Sequence, residues 1–254
     1  MLTLVFLHGF LGSGKSWRNV TAALQENYYC VTPDLPGHGE NTRLDMHAPL
    51  DFDSVSDWLA GLLNQLPVSK ICLAGYSLGG RIALHFAIRH PERIHSLILE
   101  SASPGLADES ERARRLAEDS ARAEFILKEG MSAFVEQWYE MPLFASLKKH
   151  PQTLSAIKEA AKTNDPRWMA KVIRDLSPGL QTPLWDSLAT LSVPVLLMAG
   201  AKDEKYVQVI RNMEGKIPNA QSILAPQAGH NIHAEQPETY IRLINDFLAQ
   251  WELP

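Results

Sequence analysis

The sequence is poor in cysteine, in long apolar runs and in excess positive charge. Its only two cysteines, Cys30 and Cys72, fall in segments predicted as buried strands, where small apolar side chains are expected rather than a disulfide. No apolar run reaches the 18 residues that a membrane span requires, so we expect no membrane partner. The net charge of −5 argues against nucleic acid. The first residues lack a basic segment and are predicted as a strand, not a signal peptide, which favours a cytoplasmic protein.

Apolar and helical segments alternate along most of the 254 residues, a length sufficient for one large α/β domain. The apolar runs are continuous, as expected for parallel strands covered on both faces. They lie at about 2–7, 28–33, 70–75, 95–100, 193–199 and 221–225. Helical patterns, such as 54–66 and 80–90, fall between most of them. The pattern predicts a mostly parallel, doubly wound sheet.

The interval from about 105 to 185 breaks this alternation. It is rich in charge and helix formers, shows no strand pattern, and contains Trp138, Tyr139, Trp168 and Trp185. We interpret it as a helical cap inserted into the single domain 1–254, over the carboxyl edge of the sheet, where open α/β sheets bind ligands.

A serine with the surroundings of a nucleophile follows the third predicted strand. Gly75-Tyr76-Ser77-Leu78-Gly79 lies between that strand and a predicted helix, the arrangement of a nucleophile elbow. The turn at such a serine is strained and needs small residues two before and two after it. The backbone N–H of Leu78 would then face a developing oxyanion.

Two later residues complete a candidate triad. Asp203 and His230 each follow a predicted strand, and the order Ser77, Asp203, His230 is that of α/β-hydrolases. A serine needs a base, and the base needs an orienting acid. Taken singly, Asp203 could be a helix cap and His230 a loop residue; His233 is the rival base. No spacing of histidine, cysteine and carboxylate residues predicts a metal site.

The loop after the first strand allows two interpretations. In His8-Gly9-Phe10 the N–H of Phe10 is expected as the second oxyanion donor, with its ring as a pocket wall. The same loop, 9–16, also matches the phosphate-binding pattern G-x-x-x-x-G-K-[ST]. The absence of an N-K-x-D motif and the geometry demanded by the triad favour the oxyanion interpretation.

These motifs, together with Asp34-Leu35-Pro36-Gly37-His38-Gly39, resemble the α/β-hydrolase superfamily. Further segments, 75–81, 100–106, 138–147, 200–206 and 228–233, resemble the 2-succinyl-6-hydroxy-2,4-cyclohexadiene-1-carboxylate synthase family of menaquinone biosynthesis. The resemblance implies a cofactor-free lyase that removes a proton with its triad and eliminates pyruvate. A hydrolase of small esters or carbon–carbon bonds remains the alternative enzyme, and a non-catalytic small-molecule receptor the alternative of another class.

The resemblance also implies a small polycarboxylate substrate, bound by arginines. It points to Arg81 and Arg115, with Trp138 and Tyr76 as further substrate-binding residues. Arg112 and Arg122 share a helix face with Arg115, although all three could instead form exposed i,i+4 ion pairs. A further cap arginine of the family is missing near 158–163, where Lys162 is the candidate replacement. The usual leading hairpin of the superfamily is also absent, so we expect a shorter sheet edge. Separately, we expect a monomer.

Overall fold

The computed structural model describes residues 1–251 and contains one six-stranded sheet in that part of the chain. All five strand pairings are parallel, in the order β2-β1-β3-β4-β5-β6. The strands are β1 Thr3–Leu7, β2 Tyr29–Val31, β3 Ile71–Tyr76, β4 Ile94–Glu100, β5 Val195–Gly200 and β6 Ala220–Ala225. Each overlaps a predicted strand, and the predicted parallel sheet is confirmed.

Helices cover both faces of the sheet. They are α1 Arg18–Leu24, α2 Phe52–Leu63, α3 Leu78–Arg89, α4 Glu109–Glu140, α5 Pro151–Lys162, α6 Pro166–Asp175, α7 Glu204–Glu214, α8 Ile232–Glu235 and α9 Pro237–Ala249. Leu4 and Phe6 of β1 pack in one apolar cluster with residues of α1 and α9. Val5 and Leu7 pack in the other cluster, with residues of α2 and α3. Successive strand side chains point to opposite faces, so a strand covered on both sides is apolar throughout.

The two cysteines differ in burial, which corrects one prediction. Cys72 is fully buried in β3, and burial raises the pKa of its thiol to about 12. Cys30 is only half-buried, because β2 lies at the edge of the sheet and covers only three residues. Both thiols are free.

The segment between β4 and β5 forms the helical cap predicted at about 105–185. This segment contains α4, α5 and α6 together with short 3₁₀ turns. Its residues, all of which the structure describes, form no strand. Helix α4 bends at Gly130, where φ is 81°. The buried indole of Trp168 donates to the carbonyl of Thr42 and fastens the cap to the loop before α2. The half-buried indole of Trp185 donates to the carbonyl of Gly105 and joins the two ends of the inserted segment.

The helices of residues 1–251 include none that is both long enough and apolar enough to cross a membrane.

Candidate active site

Ser77 occupies a strained turn between β3 and α3. Its φ of 51° and ψ of −108° lie in a region that side-chain-bearing residues seldom adopt. The neighbouring glycines permit this turn: a Cβ on Gly75 would strike the Gly79 carbonyl, and one on Gly79 would strike the carbonyl of Leu7. The Ser77 N–H donates to the Glu100 carbonyl at 2.9 Å, which fixes the turn to β4. The predicted nucleophile elbow is therefore present.

His230 and Asp203 meet Ser77 above the carboxyl edge of the sheet. His230 Nε2 lies 3.1 Å from Ser77 Oγ, and His230 Nδ1 lies 2.7 Å from Asp203 Oδ2. A carboxylate only accepts, so Nδ1 carries the proton and Nε2 is left to accept the serine proton. The imidazole and the carboxylate are both buried. The predicted triad geometry is confirmed.

Asp203 also begins α7. Its Oδ1 accepts the Tyr206 N–H at 3.4 Å while Oδ2 holds His230. The geometry is therefore compatible with both interpretations, the helix cap and the triad, one for each carboxylate oxygen.

His233, the rival candidate for the base, pairs with a different carboxylate. Its Nδ1 lies 2.7 Å from Glu100 Oε2, and its backbone N–H donates to Glu100 Oε1 at 3.2 Å. Its ring packs on Trp17 with the ring centroids 4.1 Å apart. Side chain and backbone are both held by one carboxylate, and no hydrogen bond of residues 1–251 joins His233 to Ser77, so the geometry favours His230 over the rival assignment.

The two predicted oxyanion donors flank Ser77. Phe10 and Leu78 both line a cavity that also contains Ser77 and His230. Among the hydrogen bonds of residues 1–251, neither the Phe10 N–H nor the Leu78 N–H donates to a protein acceptor. The Phe10 ring packs edge-on against Trp138 at 5.3 Å and forms the predicted pocket wall.

Two cavities meet at the triad. The smaller, about 110 Å³, lies under the cap, and the larger, about 1000 Å³, opens beside the loop after β1. Ser77, His230, Phe10 and Trp138 line both. A group held at Ser77 Oγ can therefore extend in two directions.

Arg81 and Arg115 both line the smaller cavity, as predicted. Arg81 Nη1 donates to the Leu176 carbonyl at 3.0 Å and to Gln181 Oε1 at 3.1 Å. Burial, and then the charge of Arg115, lower the pKa of Arg81 to about 10, so its guanidinium stays charged at neutral pH. Arg115 donates through Nε to the buried Asp119 at 2.7 Å. The i,i+4 pair considered for Arg115 forms, and the side chain still faces the cavity.

The other cationic candidates lie elsewhere. Arg112 donates to the carbonyls of Leu106 and Ala107, where it closes the start of α4. Arg122 pairs with Asp119 and lies over the Trp138 ring at 5.8 Å. Lys162 pairs with Glu136 and Glu159 on the cap surface and lines neither cavity, so it does not replace the missing arginine.

Tyr76 lines the larger cavity, with its ring centroid 5.4 Å from that of His230. Burial, and then the charge of Glu100, raise the pKa of Tyr76 well above its usual value, so its hydroxyl stays protonated. Trp138 contacts Phe10 and Phe134 and lines both cavities.

Residues not singled out from the sequence also line the smaller cavity. Tyr206 packs against His230 with the centroids 4.8 Å apart, and the Lys205 ammonium lies 5.7 Å from the Tyr206 ring centroid. The sequence offered one signal for them: they lie two and three residues after Asp203, in the first turn of α7.

The phosphate-loop pattern folds differently from a phosphate cradle. The Gly14 N–H donates to Asp34 Oδ1 at 2.7 Å, and the other oxygen of that carboxylate accepts from Glu40. The Asp34 carboxylate thus accepts from the Gly14 N–H, a donor that a bound phosphate would need. Within residues 1–251 no group of three histidine, cysteine or acidic side chains is placed to hold a metal ion.

The chain belongs to the α/β-hydrolase fold family, whose members match residues 3–237. Within that family it belongs with the 2-succinyl-6-hydroxy-2,4-cyclohexadiene-1-carboxylate synthases. It is 33% identical to the synthase of Serratia proteamaculans over 97% of this chain and 92% of that one.

Solved structures extend the comparison. The structure of MenH from S. aureus is 38% identical, with a TM-score of 0.95, over 98% of this chain and 94% of that one. A thermophilic esterase from Thermogutta terrifontis, solved with malate bound, is 26% identical, with a TM-score of 0.88, over 100% and 91%.

Proposed function

We propose that the protein is a lyase of menaquinone biosynthesis. It eliminates pyruvate from 2-succinyl-5-enolpyruvyl-6-hydroxy-3-cyclohexene-1-carboxylate and leaves 2-succinyl-6-hydroxy-2,4-cyclohexadiene-1-carboxylate. The observation that carries the proposal is the complete triad beside a cap cavity lined by Arg81 and Arg115. The names of the full-length relatives support the same reaction.

The bonds that change follow from the two structures. The ring proton at C2 is acidic because it lies next to the succinyl ketone and to the C3–C4 double bond. Its removal gives a dienolate, which forms the C2–C3 and C4–C5 double bonds as the C5–O bond breaks. The departing enolpyruvate takes up a proton and becomes pyruvate, so no oxidant or cofactor is required.

The triad supplies the base. His230 Nε2 accepts from Ser77, and Asp203 keeps the imidazole in the tautomer with the proton on Nδ1. Either the serine oxygen, after giving its proton to His230, or His230 itself takes the C2 proton. A positioned base contributes about 10²–10⁴-fold to the rate.

The backbone at Phe10 and Leu78 stabilises the charge that develops. The enolate oxygen of the succinyl ketone is the developing oxyanion, and two preorganised N–H donors each contribute about 10²–10³-fold. Both residues border the cavity that contains Ser77.

Cations at the smaller cavity match the carboxylates of the substrate. The succinyl, ring and enolpyruvyl carboxylates make three negative charges. Arg81 and Arg115 offer planar forks for bidentate pairing, and Lys205 is the third cation at the cavity wall. Lys205 in this role replaces our expectation for Lys162.

A pyruvate-release assay tests the proposal. Purified protein is given freshly prepared substrate, with p-nitrophenyl acetate as the comparison substrate and Ser77→Ala as the control variant. Fast pyruvate release, lost in Ser77→Ala and accompanied by little ester cleavage, supports the lyase. Ester turnover with pyruvate at the spontaneous rate would contradict it.

A serine hydrolase is the second candidate, favoured by the likeness to the Thermogutta terrifontis esterase. In that route Ser77 attacks a carbonyl and forms an acyl-enzyme, whereas the lyase forms no covalent intermediate. Mass spectrometry of rapidly quenched protein distinguishes the two, since only the hydrolase gains the acyl mass on Ser77.

The proposal includes the cytoplasm as the location and a monomer as the working unit. Two free thiols, Cys30 and Cys72, support a reducing compartment.

A further inference from the structure

Asp119 is a buried carboxylate at the centre of the cap. It lies on α4, its side chain has no exposed surface, and it borders the smaller cavity. Three side chains donate to it: Arg115 Nε at 2.7 Å, Arg122 Nη1 at 2.6 Å and Ser177 Oγ at 2.8 Å. A buried charge is tolerated only with such partners, because removing it from water is costly.

The contact with Arg115 leaves the useful end of that side chain free. Arg115 Nε donates to Asp119. Within residues 1–251, the two terminal nitrogens of Arg115 donate to no protein acceptor. The guanidinium is planar, so a bond at Nε sets the direction of the fork that the terminal nitrogens form. Arg115 lines the same cavity as Ser77, so a ligand held there can reach the fork.

Asp119 also reaches Arg81 through the turn 176–181. Ser177 of that turn donates to Asp119 and accepts the Gly179 N–H at 3.0 Å. The ends of the same turn, the Leu176 carbonyl and Gln181 Oε1, accept from Arg81 Nη1. One continuous network therefore holds both guanidinium groups.

The network also places the negative charge of Asp119 near the two positive guanidinium groups. The charge of Arg115 lowers the pKa of Arg81, and that of Asp119 raises it. Without the carboxylate, the two guanidinium groups would repel each other across the cavity.

We propose that Asp119 is a positioning residue, which holds Arg115 directly and Arg81 through the turn 176–181 so that both guanidinium groups receive substrate carboxylates. The identity of that substrate rests on the proposed function. The positioning itself concerns any small dicarboxylate that reaches the cavity.

Succinate titration of the whole protein tests the proposal without any turnover. Isothermal titration calorimetry compares the unchanged protein with Asp119→Asn, Ser177→Ala, Arg115→Ala and the double variant Asp119→Asn/Arg115→Ala. Glu124→Gln is the matched control, since it removes one exposed carboxylate from the same helix. We expect Asp119→Asn to weaken succinate binding about 10-fold, as for one charge-assisted contact, and Glu124→Gln to leave it unchanged.

The double variant separates positioning from a general loss of structure. If Asp119 acts through Arg115, the double variant binds succinate no more than about 3-fold less tightly than Arg115→Ala alone. Full additivity would overturn the proposal. So would tighter binding by Asp119→Asn, which would mean that the carboxylate merely competes with the ligand. No binding of succinate to the unchanged protein would overturn it as well.

Ser177→Ala covers the case in which Asp119→Asn does not fold. It keeps both ion pairs of Asp119 and removes the link from Asp119 to the turn 176–181, together with the acceptor of the Gly179 N–H inside that turn. We expect a loss of succinate affinity of about 3-fold, smaller than for Asp119→Asn because Ser177 acts on Arg81 only through the turn. Unchanged affinity would overturn the link to Arg81.

Kinetics give an independent measurement. In the pyruvate assay we expect Asp119→Asn to raise KM about 10-fold with kcat within about 3-fold, the sign of lost ground-state binding. A fall in kcat with unchanged KM would contradict positioning. If the unchanged protein releases no pyruvate, the proposed function fails, while the succinate titration still decides the role of Asp119.

Discussion

Two buried histidine–carboxylate pairs lie three residues apart on this chain, and only one of them is catalytic in our proposal. His230 faces Asp203, and His233 faces Glu100, with the same distance of 2.7 Å from Nδ1 to the carboxylate. The two pairs differ in what surrounds each imidazole ring. His230 presents Nε2 to Ser77, whereas the His233 ring packs between Trp17 and Tyr76. A histidine–carboxylate pair therefore becomes a base only where its free nitrogen meets a reacting hydroxyl.

The backbone around each histidine explains the difference. His230 lies in a turn whose Gly229 N–H donates to the buried carboxylate of Glu235 at 3.0 Å, which aims the imidazole over the sheet edge. His233 lies in α8, and its own N–H is held by Glu100, which points its ring toward the core. Glu235 also accepts from Ser146 of the cap, so the catalytic turn is fastened from above.

The largest effect is expected from His230→Ala. Removing the nitrogen that accepts the Ser77 proton should lower kcat for pyruvate release about 10⁴-fold, the upper range for a positioned base. His233→Ala is the comparison variant, and its folded fraction should retain kcat within about 10-fold. Stopped-flow measurement of pyruvate checks both, and equal losses would remove the distinction between the pairs.

A smaller loss is expected from Asp203→Asn. The amide cannot hold the imidazole in the required tautomer, so kcat should fall about 10³-fold. The thermal midpoint should change less than in the equivalent change at Glu100. Activity close to that of the unchanged protein would show that Asp203 serves only as the cap of α7.

Glu100→Gln should act on stability instead. Its side chain is fully buried and holds both the ring and the N–H of His233, so the change should lower the free energy of unfolding by about 3 kcal/mol. For a chain of this size that corresponds to a fall in Tm of about 6–12 °C. Thermal unfolding followed by circular dichroism measures it, together with kcat, which should stay within about 10-fold. A loss of activity as large as that of Asp203→Asn would assign the second pair to catalysis.

Two other buried histidines, His8 and His38, have no carboxylate partner within residues 1–251. They extend the comparison to the dependence of stability on pH. Burial lowers the pKa of His8 to about 4 and places that of His38 well below its usual value. Between about pH 6.5 and 4 the unfolded chain binds a proton at His8 that the folded chain refuses, so acid favours unfolding. The stability that neutral His8 contributes is complete above pH 6.5, and about 2 kcal/mol of it is lost by pH 5.

Urea unfolding from pH 7 to pH 5 measures this dependence. His47→Asn is the control, because His47 is exposed, and it should leave the slope unchanged. A free energy of unfolding that does not change over this range would contradict the assignment of neutral, buried imidazoles.

The positions of the strands and the triad residues could be predicted from the chain. Continuous apolar runs placed six strands, and Ser77, Asp203 and His230 each follow the end of one of them. In a parallel sheet those ends share one edge, so their meeting follows from topology. The glycines around Ser77 have the same local origin, because their neighbours leave no room for a Cβ.

The roles of the cap cations could not be predicted in the same way. Arg112, Arg115 and Arg122 share one face of α4, yet only Arg115 lines the cavity. Lys162 was a candidate by position, but the carboxylate of Glu136, on another helix, engages it. The half-burial of Cys30 likewise depends on β2 being an edge strand, which a short apolar run does not reveal.

The sequence by itself determined the sheet, the strained serine and the members of the triad, because these depend on local backbone geometry and on strand order. Tertiary structure alone decided which cap cations line the cavity and what surrounds each of the two histidines. Those outcomes rest on side-chain contacts between distant segments, such as Arg81 with Gln181, 100 residues apart, and Asp119 with Ser177, 58 residues apart. Contacts of this kind form only once the cap helices have packed together and on the domain beneath them, so no pattern along the chain records them.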